Sequence, residues 1–193
     1  SLHKVRLLLD ALVQPARYVP IDISGDHLDA AARRLEQDYP GLEVHPLAGD
    51  YTQPLLIPAG APRRGMRLGF FPGSTIGNFD RPQALGFLRN AARLLRGGAL
   101  LLGADLVKDP AVLHAAYNDS AGTTAAFNLN LLVRANRELG TDFDLQGYAH
   151  GAFYNSPLRR IEMHLVSRRH QTVRLDGRGY VFEHGDTRHT EHS

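Results

Sequence analysis

The segment Leu68 to Phe79, LGFFPGSTIGNF, runs from an apolar stretch straight into Pro72, Gly73, Ser74, Thr75, Gly77 and Asn78. Apolar residues followed at once by backbone-permissive and hydrogen-bonding ones predict a buried strand whose C-terminal end opens on a ligand crevice. Folding alone gives no reason to place so many such residues directly after a core strand, unless the loop must approach something closely.

Downstream, Asp80 is placed to cap a helix with Pro82 in its first turn, running to Arg96 and stopped by Gly97 and Gly98. ALLLGADLV, Ala99 to Val107, then predicts another buried strand. Upstream, a Pro/Gly/Arg-rich loop from Pro54 to Gly65 precedes the segment. Before it, Leu42 to Leu47 is strand-like and leads into Gly49, Asp50 and Tyr51. Tyr18 to Ile23 predicts a short strand ending in Asp22. Ser24 can cap the following helix, which buries Leu28, Ala31, Ala32 and Leu35 and ends at Tyr39, Pro40 and Gly41. The chain opens in a helix with Leu7, Leu8, Ala11 and Leu12 at helical spacing.

Strands alternating with helices of this length predict βαβ units, a mostly parallel sheet and an α/β fold. Right-handed crossovers bring the strand C-termini to one edge, where Asp22, Asp50, the Gly73 to Asn78 loop and Asp105 gather. After Asp109 the style changes. Helical sequence to Gly140 gives way to strand-like RIEMHLVS, Arg160 to Ser167, and YVFEH, Tyr180 to His184. The expected organisation is therefore a core domain over residues 1–108 and a smaller α+β domain over 109–193.

The 193 residues suffice for such a core, and 43% hydrophobic with 22% charged residues is ordinary for a globular chain. Basic residues number 22 against 20 acidic ones, with no basic stripe, so nucleic acid is not an expected partner. The absence of cysteine excludes disulfides and thiol catalysis, and suits a reducing compartment. Apolar runs are too short to span a bilayer, and no secretory segment opens the sequence; a cytoplasmic location is expected.

A carboxylate ending the second strand of a doubly wound sheet suits a ribose, whose vicinal hydroxyls both donate to it. Asp50, one βα unit later, suits the exocyclic amine of adenine. Two acids disfavour a ligand rich in phosphates and favour a sulfonium cofactor, S-adenosylmethionine, over ATP or NADP. Taken singly, Asp22 is equally a turn residue and Asp50 equally a loop cap.

YVPIDIS (18–24), LAGDYTQPL (47–55), FFPGSTIGNF (70–79), GADLVKDPAVLHAAYND (103–119), TAAFNLNLLVRANRELGTDF (124–143), RIEMHLVS and the closing HTEHS (189–193) together resemble the L-histidine Nα-methyltransferase family of ergothioneine biosynthesis. These matches run in order over essentially the whole chain. The resemblance implies a Rossmann-like methyltransferase domain that binds S-adenosylmethionine and a smaller domain that presents L-histidine. A monomer is expected. The resemblance also implies that Lys4, Asp22, Asp50 and Tyr51 bind the cofactor and that Asn78, Tyr117, Glu191 and Ser193 bind histidine. Asn78 and Tyr117 would hold the amino acid's amine and carboxylate, and Glu191 and Ser193 its imidazole. Asn78, which can accept from the amine and steer its lone pair, is the residue implied in catalysis, and trimethylation to hercynine is the implied outcome.

The chemistry of the ring agrees with that pair. Neutral imidazole carries one N–H donor and one bare nitrogen, so a selective pocket needs an acceptor and a donor on opposite sides. In an extended Thr190 to Ser193, Glu191 and Ser193 face one way and His192 the other. Methyl transfer from an activated sulfonium asks mainly for alignment, and no residue stands out as a general base.

Other readings weigh against this one. His184, Asp186, His189, Glu191 and His192 invite a metal, but their spacing matches no zinc signature, and no metal is expected. Tyr117 alone reads as a packed helix residue, Met163 as core, Asp105 as a simple cap, and Asn128, Asn130 and Asn136 as an exposed helix face. The runner-up function is methylation of another amino acid or small amine; a non-catalytic nucleotide-binding fragment is a further alternative. The chain contains no GxGxxG turn. Against the family pattern, the first strand and its glycine-rich loop are missing ahead of Lys4, so an N-terminally truncated chain is expected. Val5 stands where the family usually has threonine.

Overall fold

The structure is a computed structural model that describes residues 2–15, 17–57 and 65–193. Part of the loop expected between Pro54 and Gly65, residues 58–64, lies outside the described residues. The chain is a mixed α/β protein, and its contacts fall into two compact units, Ser1–Ala104 and Asp105–Ser193.

In the first unit, helices α1 (Leu2–Ala11), α2 (Gly25–Asp38) and α3 (Arg81–Leu95) alternate with short strands. These are β1 (Arg17–Tyr18), β2 (Ile21–Asp22), β3 (Glu43–Val44), β4 (Leu47–Ala48), β5 (Leu68–Phe71) and β6 (Ala99–Leu102). Every pairing is parallel: β1 with β3, β2 with β4, and β5 with β6. The first two pairs are one ladder interrupted by proline. His45, Leu47 and Gly49 donate their N–H groups to the carbonyls of Tyr18, Pro20 and Asp22, each at 2.9 Å. Pro20 accepts but has no N–H to return, so regular pairing stops on either side of it. The expected parallel alternation is thus present as two parallel ladders, and none joins β5 and β6 to the interrupted one among the described residues.

Successive side chains of β5 go to opposite clusters, as strand geometry requires. Phe70 packs on the core built from Val5, Leu9, Ala32, Leu35, Leu42 and Val44. Phe71 meets Phe87 of α3, with ring centroids 4.3 Å apart. Capping of α3 is complete: Asp80 accepts from the Gln83 amide at 2.8 Å, Gln83 Oε1 accepts from the Asp80 amide at 2.9 Å, and Arg96 ends the helix in the left-handed region.

The helix expected at the start of the chain is present as α1, which buries Val5 and Leu9 and leaves Leu7 exposed. Three expectations need correction here. Ser24 occupies the N-cap position of α2 without a side-chain cap bond; Asp22 Oδ1 instead accepts from its amide at 2.9 Å. The strand expected over Ala99 to Val107 ends at Leu102, and Leu101 and Leu102 are exposed, since β6 pairs along one edge only among the described residues. β5, expected to be buried, is half-buried throughout.

The second unit opens with α4 (Pro110–Tyr117) and α5 (Thr123–Leu139), the latter closed by Gly140 at φ 66°. Strands follow: β7 (Tyr148–Asn155), β8 (Arg160–Ser167), β9 (Gln171–Leu175), β10 (Arg178–Phe182) and β11 (Thr187–His192). β7, β8 and β11 form an antiparallel sheet with β8 central, and β9 and β10 a hairpin. Ile161, Met163, Leu165 and Ser167 stand on one face of β8, all buried, and their partners on β7 are Tyr154, Ala152, His150 and Tyr148. Leu113 and Tyr117 of α4, and Leu129 and Leu132 of α5, pack on that face. Met163 is core, as its position on an alternating strand predicts.

Two of the three asparagines assigned to an exposed helix face are not exposed. Asn128 is 1% exposed, lying four residues from the buried Leu132 and so on the same side of α5. Asn136 is half-buried and ties down the following loop, donating to Phe143 O and accepting from the Thr141 hydroxyl and the Phe143 amide, each at 2.8 Å. Asn130 is exposed.

Candidate active site

Lys4, Asp22, Asp50, Tyr51 and Asn78 belong to the first unit, and Tyr117, Glu191 and Ser193 to the second. In the first, the candidates collect where the parallel strands end. Asp22 is the last residue of β2 and Asp50 follows β4 closely. Both aspartates close a local turn: Asp22 through the Ser24 amide, Asp50 through the Thr52 amide at 2.8 Å and the Thr52 hydroxyl at 2.6 Å. Each turn uses only Oδ1, so turn-forming and ligand-binding roles are compatible in both residues. The Thr52 hydroxyl, and then its amide, hold the Asp50 carboxyl below the usual carboxylate range.

Tyr51 connects the two acids. Burial raises its phenol pKa, and the charges of Asp22 and Asp50 raise it further, so the hydroxyl stays protonated beside two carboxylates. Its ring packs against Phe71, Phe87 and Phe79, with centroids at 5.4, 6.3 and 6.5 Å. Tyr51 thereby ties the acidic pair to the end of β5.

The loop after β5 is more ordered than its composition suggests. Gly73 has φ 79° and Ser74 φ 60°, after which Thr75–Asn78 form a 3-10 turn, with the Thr75 hydroxyl on Pro72 O at 3.3 Å. Asn78, at the end of the turn, is half-buried. Backbone approaches are close on two sides. A Cβ added to Gly103 would lie 3.0 Å from Gly73 N and 3.3 Å from Pro72 Cα, and one added to Gly73 would lie 3.4 Å from Lys4 Nζ. Lys4 therefore presents its ammonium to this loop.

This donor set fits an adenosyl sulfonium ligand. Two carboxylates, each with one oxygen outside its turn, suit ribose hydroxyls and an exocyclic amine, and a glycine-lined loop beside a lysine suits an amino-acid carboxylate. The group would supply an activated methyl; the protein's part is to hold and orient.

In the second unit, register collects the other candidates. Glu191 pairs with Met163, and Ser193 exchanges both backbone hydrogen bonds with Ile161, at 2.9 and 3.0 Å. Directly paired residues share a face. Glu191 and Ser193 accordingly lie on the face where Tyr117 packs against Ala152, Ile161 and Met163, while His189 and His192 pair with His164 and Glu162 on the other. The packed-ring reading of Tyr117 holds, and its carbonyl accepts from His150 Nε2 at 2.8 Å.

On that other face, ligand atoms of Glu162, His164 and His189 lie within 4.8 Å of one another. Only His189 belongs to the set that the sequence suggested for a metal. Arg160 occupies Glu162 Oε1 at 2.7 Å, and burial, which pushes this carboxyl up, is outweighed by bonds from Arg160, His164 and Asn155. A guanidinium already neutralises the carboxylate, so a cation gains little there.

Sequence reasoning missed Asn128, His150 and Thr190, a hydrogen-bonded polar chain in which Asn128 is buried and the other two are half-buried. The signal was available in the spacing of Asn128 to Leu132 and the alternation along Tyr148 to Tyr154.

The family model described as "Histidine-specific methyltransferase, SAM-dependent" matches residues 1–193. The chain belongs to this family. Histidine-specific methyltransferases similar to it include the histidine N-alpha-methyltransferases of Mycolicibacterium smegmatis and Mycobacterium tuberculosis, each 44% identical over 177 residues, covering 90% of this chain and 54% of the relative. The ergothioneine biosynthesis protein 1 of Neurospora crassa is 30% identical over 197 residues, covering 91% of this chain and 22% of that protein. The chain thus spans about half the length of the curated mycobacterial relatives it matches. No helix among the described residues is long and apolar enough to cross a membrane.

Proposed function

We propose that the protein transfers methyl groups from S-adenosylmethionine to the α-amine of L-histidine, yielding the trimethylated betaine hercynine on the route to ergothioneine. The observation that carries this reading is the 44% identity, over 90% of the chain, to two proteins named for that reaction. The same reading takes residues 1–108 as a Rossmann-like cofactor domain and 109–193 as a substrate domain, in a cytoplasmic monomer.

Lys4, Asp22, Asp50 and Tyr51 would hold the cofactor, and Asn78, Tyr117, Glu191 and Ser193 the amino acid. The clustering of Asp22, Asp50 and Tyr51 supports the first set, and the shared sheet face of Tyr117, Glu191 and Ser193 supports the second. Asn78 would accept a hydrogen bond from the amine and aim its lone pair at the methyl group, while Glu191 and Ser193 would satisfy the two ring nitrogens. Buried polar partners of this kind reject a substrate that lacks those nitrogens.

Calorimetry with L-histidine and S-adenosylhomocysteine tests the reading. Asn78→Ala is expected to lose histidine affinity and turnover and to keep cofactor binding. Failure of the unsubstituted protein to bind either ligand overturns the proposal.

A further inference from the structure

Strand β11 does not alternate regularly. His189 pairs with His164 and Glu191 with Met163, so β11 advances two residues where β8 advances one, and Thr190 is the extra residue of a β-bulge. Strict alternation from His189 would put Glu191 and Ser193 on the face of His189. With the bulge they stand on the face of Tyr117, and His192 goes to the other. The identity of the face therefore depends on whatever holds Thr190 in place.

Its hydroxyl proton is shared between Asn128 Oδ1 at 2.7 Å and Met163 O at 3.0 Å. Asn128 is in turn fixed. Its Nδ2 lies 3.0 Å from His164 O and 3.0 Å from His150 Nδ1. A backbone carbonyl can only accept, so the amide must point its NH2 there and its oxygen at Thr190. By the same logic, His150 Nε2, facing Tyr117 O at 2.8 Å, carries the proton and leaves Nδ1 to accept from Asn128. Every polar atom of this 1% exposed asparagine is satisfied in one orientation only. The chain Tyr117, His150, Asn128, Thr190 links one candidate substrate contact to the strand that carries two others.

We infer that Thr190 and Asn128 are positioning residues for imidazole recognition: by locking the bulge to α5 they place Glu191 and Ser193 on the substrate face. The inference rests on the function proposed above. Neither residue touches the reacting atoms; removal of the Thr190 hydroxyl frees the bulge to slip and misplaces the pair that reads the ring.

The test is calorimetry, in the presence of S-adenosylhomocysteine, with L-histidine and with 3-(2-thienyl)-L-alanine, which has a five-membered ring without nitrogens. Thr190→Val should lower L-histidine affinity at least tenfold while thienylalanine affinity stays within about twofold, so discrimination collapses; Thr190→Ser should restore it. Thr190→Ala carries the same test should the valine variant fail to fold. Unchanged discrimination in the hydroxyl-free variants overturns the inference and leaves the functional reading standing. Equal loss for both amino acids, with loss of thermal stability, also overturns it, because the role would then be structural only. Absence of L-histidine binding by the unsubstituted protein overturns the functional reading and this inference with it.

Discussion

The ring of Tyr51 meets that of Phe71 edge-on, with centroids 5.4 Å apart and planes at 69°, so the residue after Asp50 is anchored to the last residue of β5. Strand ends that no hydrogen-bonded ladder joins among the described residues are in this way fastened through side chains. Removal of the ring should be felt in stability, whereas removal of the hydroxyl should be felt at the acidic pair. Tyr51→Ala is expected to cost about 2 kcal/mol in urea unfolding and Tyr51→Phe less than about 0.5 kcal/mol. A phenylalanine variant as unstable as the alanine one would show that the hydroxyl, not the aromatic contact, fastens the strand ends.

If Asp50 holds the cofactor as proposed, Asp50 and Thr52 would set the acid limit of cofactor binding. Thr52 holds the folded carboxyl below its ordinary value, first through its hydroxyl and then through its amide. Asp50 therefore remains an ionised acceptor as the pH falls through the usual carboxylate range, and loses that role only below it. In Thr52→Val the hydroxyl bond is gone and the carboxyl titrates higher. The acid limb of S-adenosylhomocysteine binding should consequently move to higher pH, with affinity near pH 7 little changed. Titration calorimetry across pH 3 to 7 measures this directly.

Much of this was legible in the sequence wherever the signal was local. Asp80 and Pro82 announce the start of α3, and Arg96 with Gly97 and Gly98 its end, because capping is a matter of a few neighbouring residues. Residues after strand ends were legible for the same reason. Burial was less so. Asn128 looks like a solvent-facing residue until His150 and Thr190 are known to meet it from distant parts of the chain. A bulge leaves no mark on composition and simply shifts the period of two by one residue. The direction of Glu191 thus depends on a tertiary bond to α5, and sequence alternation cannot supply it.

Asp119 caps α5 from outside the helix, Oδ2 accepting from the Thr123 amide and Oδ1 from the Thr124 amide, both at 2.8 Å. Those bonds, the Thr124 amide foremost, hold its carboxyl far below the ordinary range. Its folded pKa is depressed, so its contribution is fully present above the unfolded value near ~3.9 and fades as pH falls through the folded value. Asp119→Asn should melt below the unsubstituted protein at pH 7, and the gap should narrow as the pH falls below that unfolded value. A gap in melting temperature that stays constant over pH 2 to 7 would mean that charge has no part in the cap.

Gly103 tests whether the loop after β5 must lie where it does. Its amide donates to Phe71 O at 3.0 Å, and a methyl group there would stand 3.0 Å from Gly73 N and 3.3 Å from Pro72 Cα. Both neighbours are backbone, which cannot swing aside as a side chain can, so Gly103→Ala must push the Pro72 to Ser74 turn. Overpacking of this kind costs about 1–3 kcal/mol. Gly73→Ala differs in origin: its close neighbour is the flexible end of Lys4, and its penalty comes from the positive φ. Lys4→Met, which removes the ammonium and leaves the backbone untouched, should weaken S-adenosylhomocysteine binding without lowering the melting temperature. Gly103→Ala should lower both. Should Gly103→Ala keep full stability and cofactor affinity, the turn would be free to relax, and its close backbone packing would not be what shapes the cofactor end of the site.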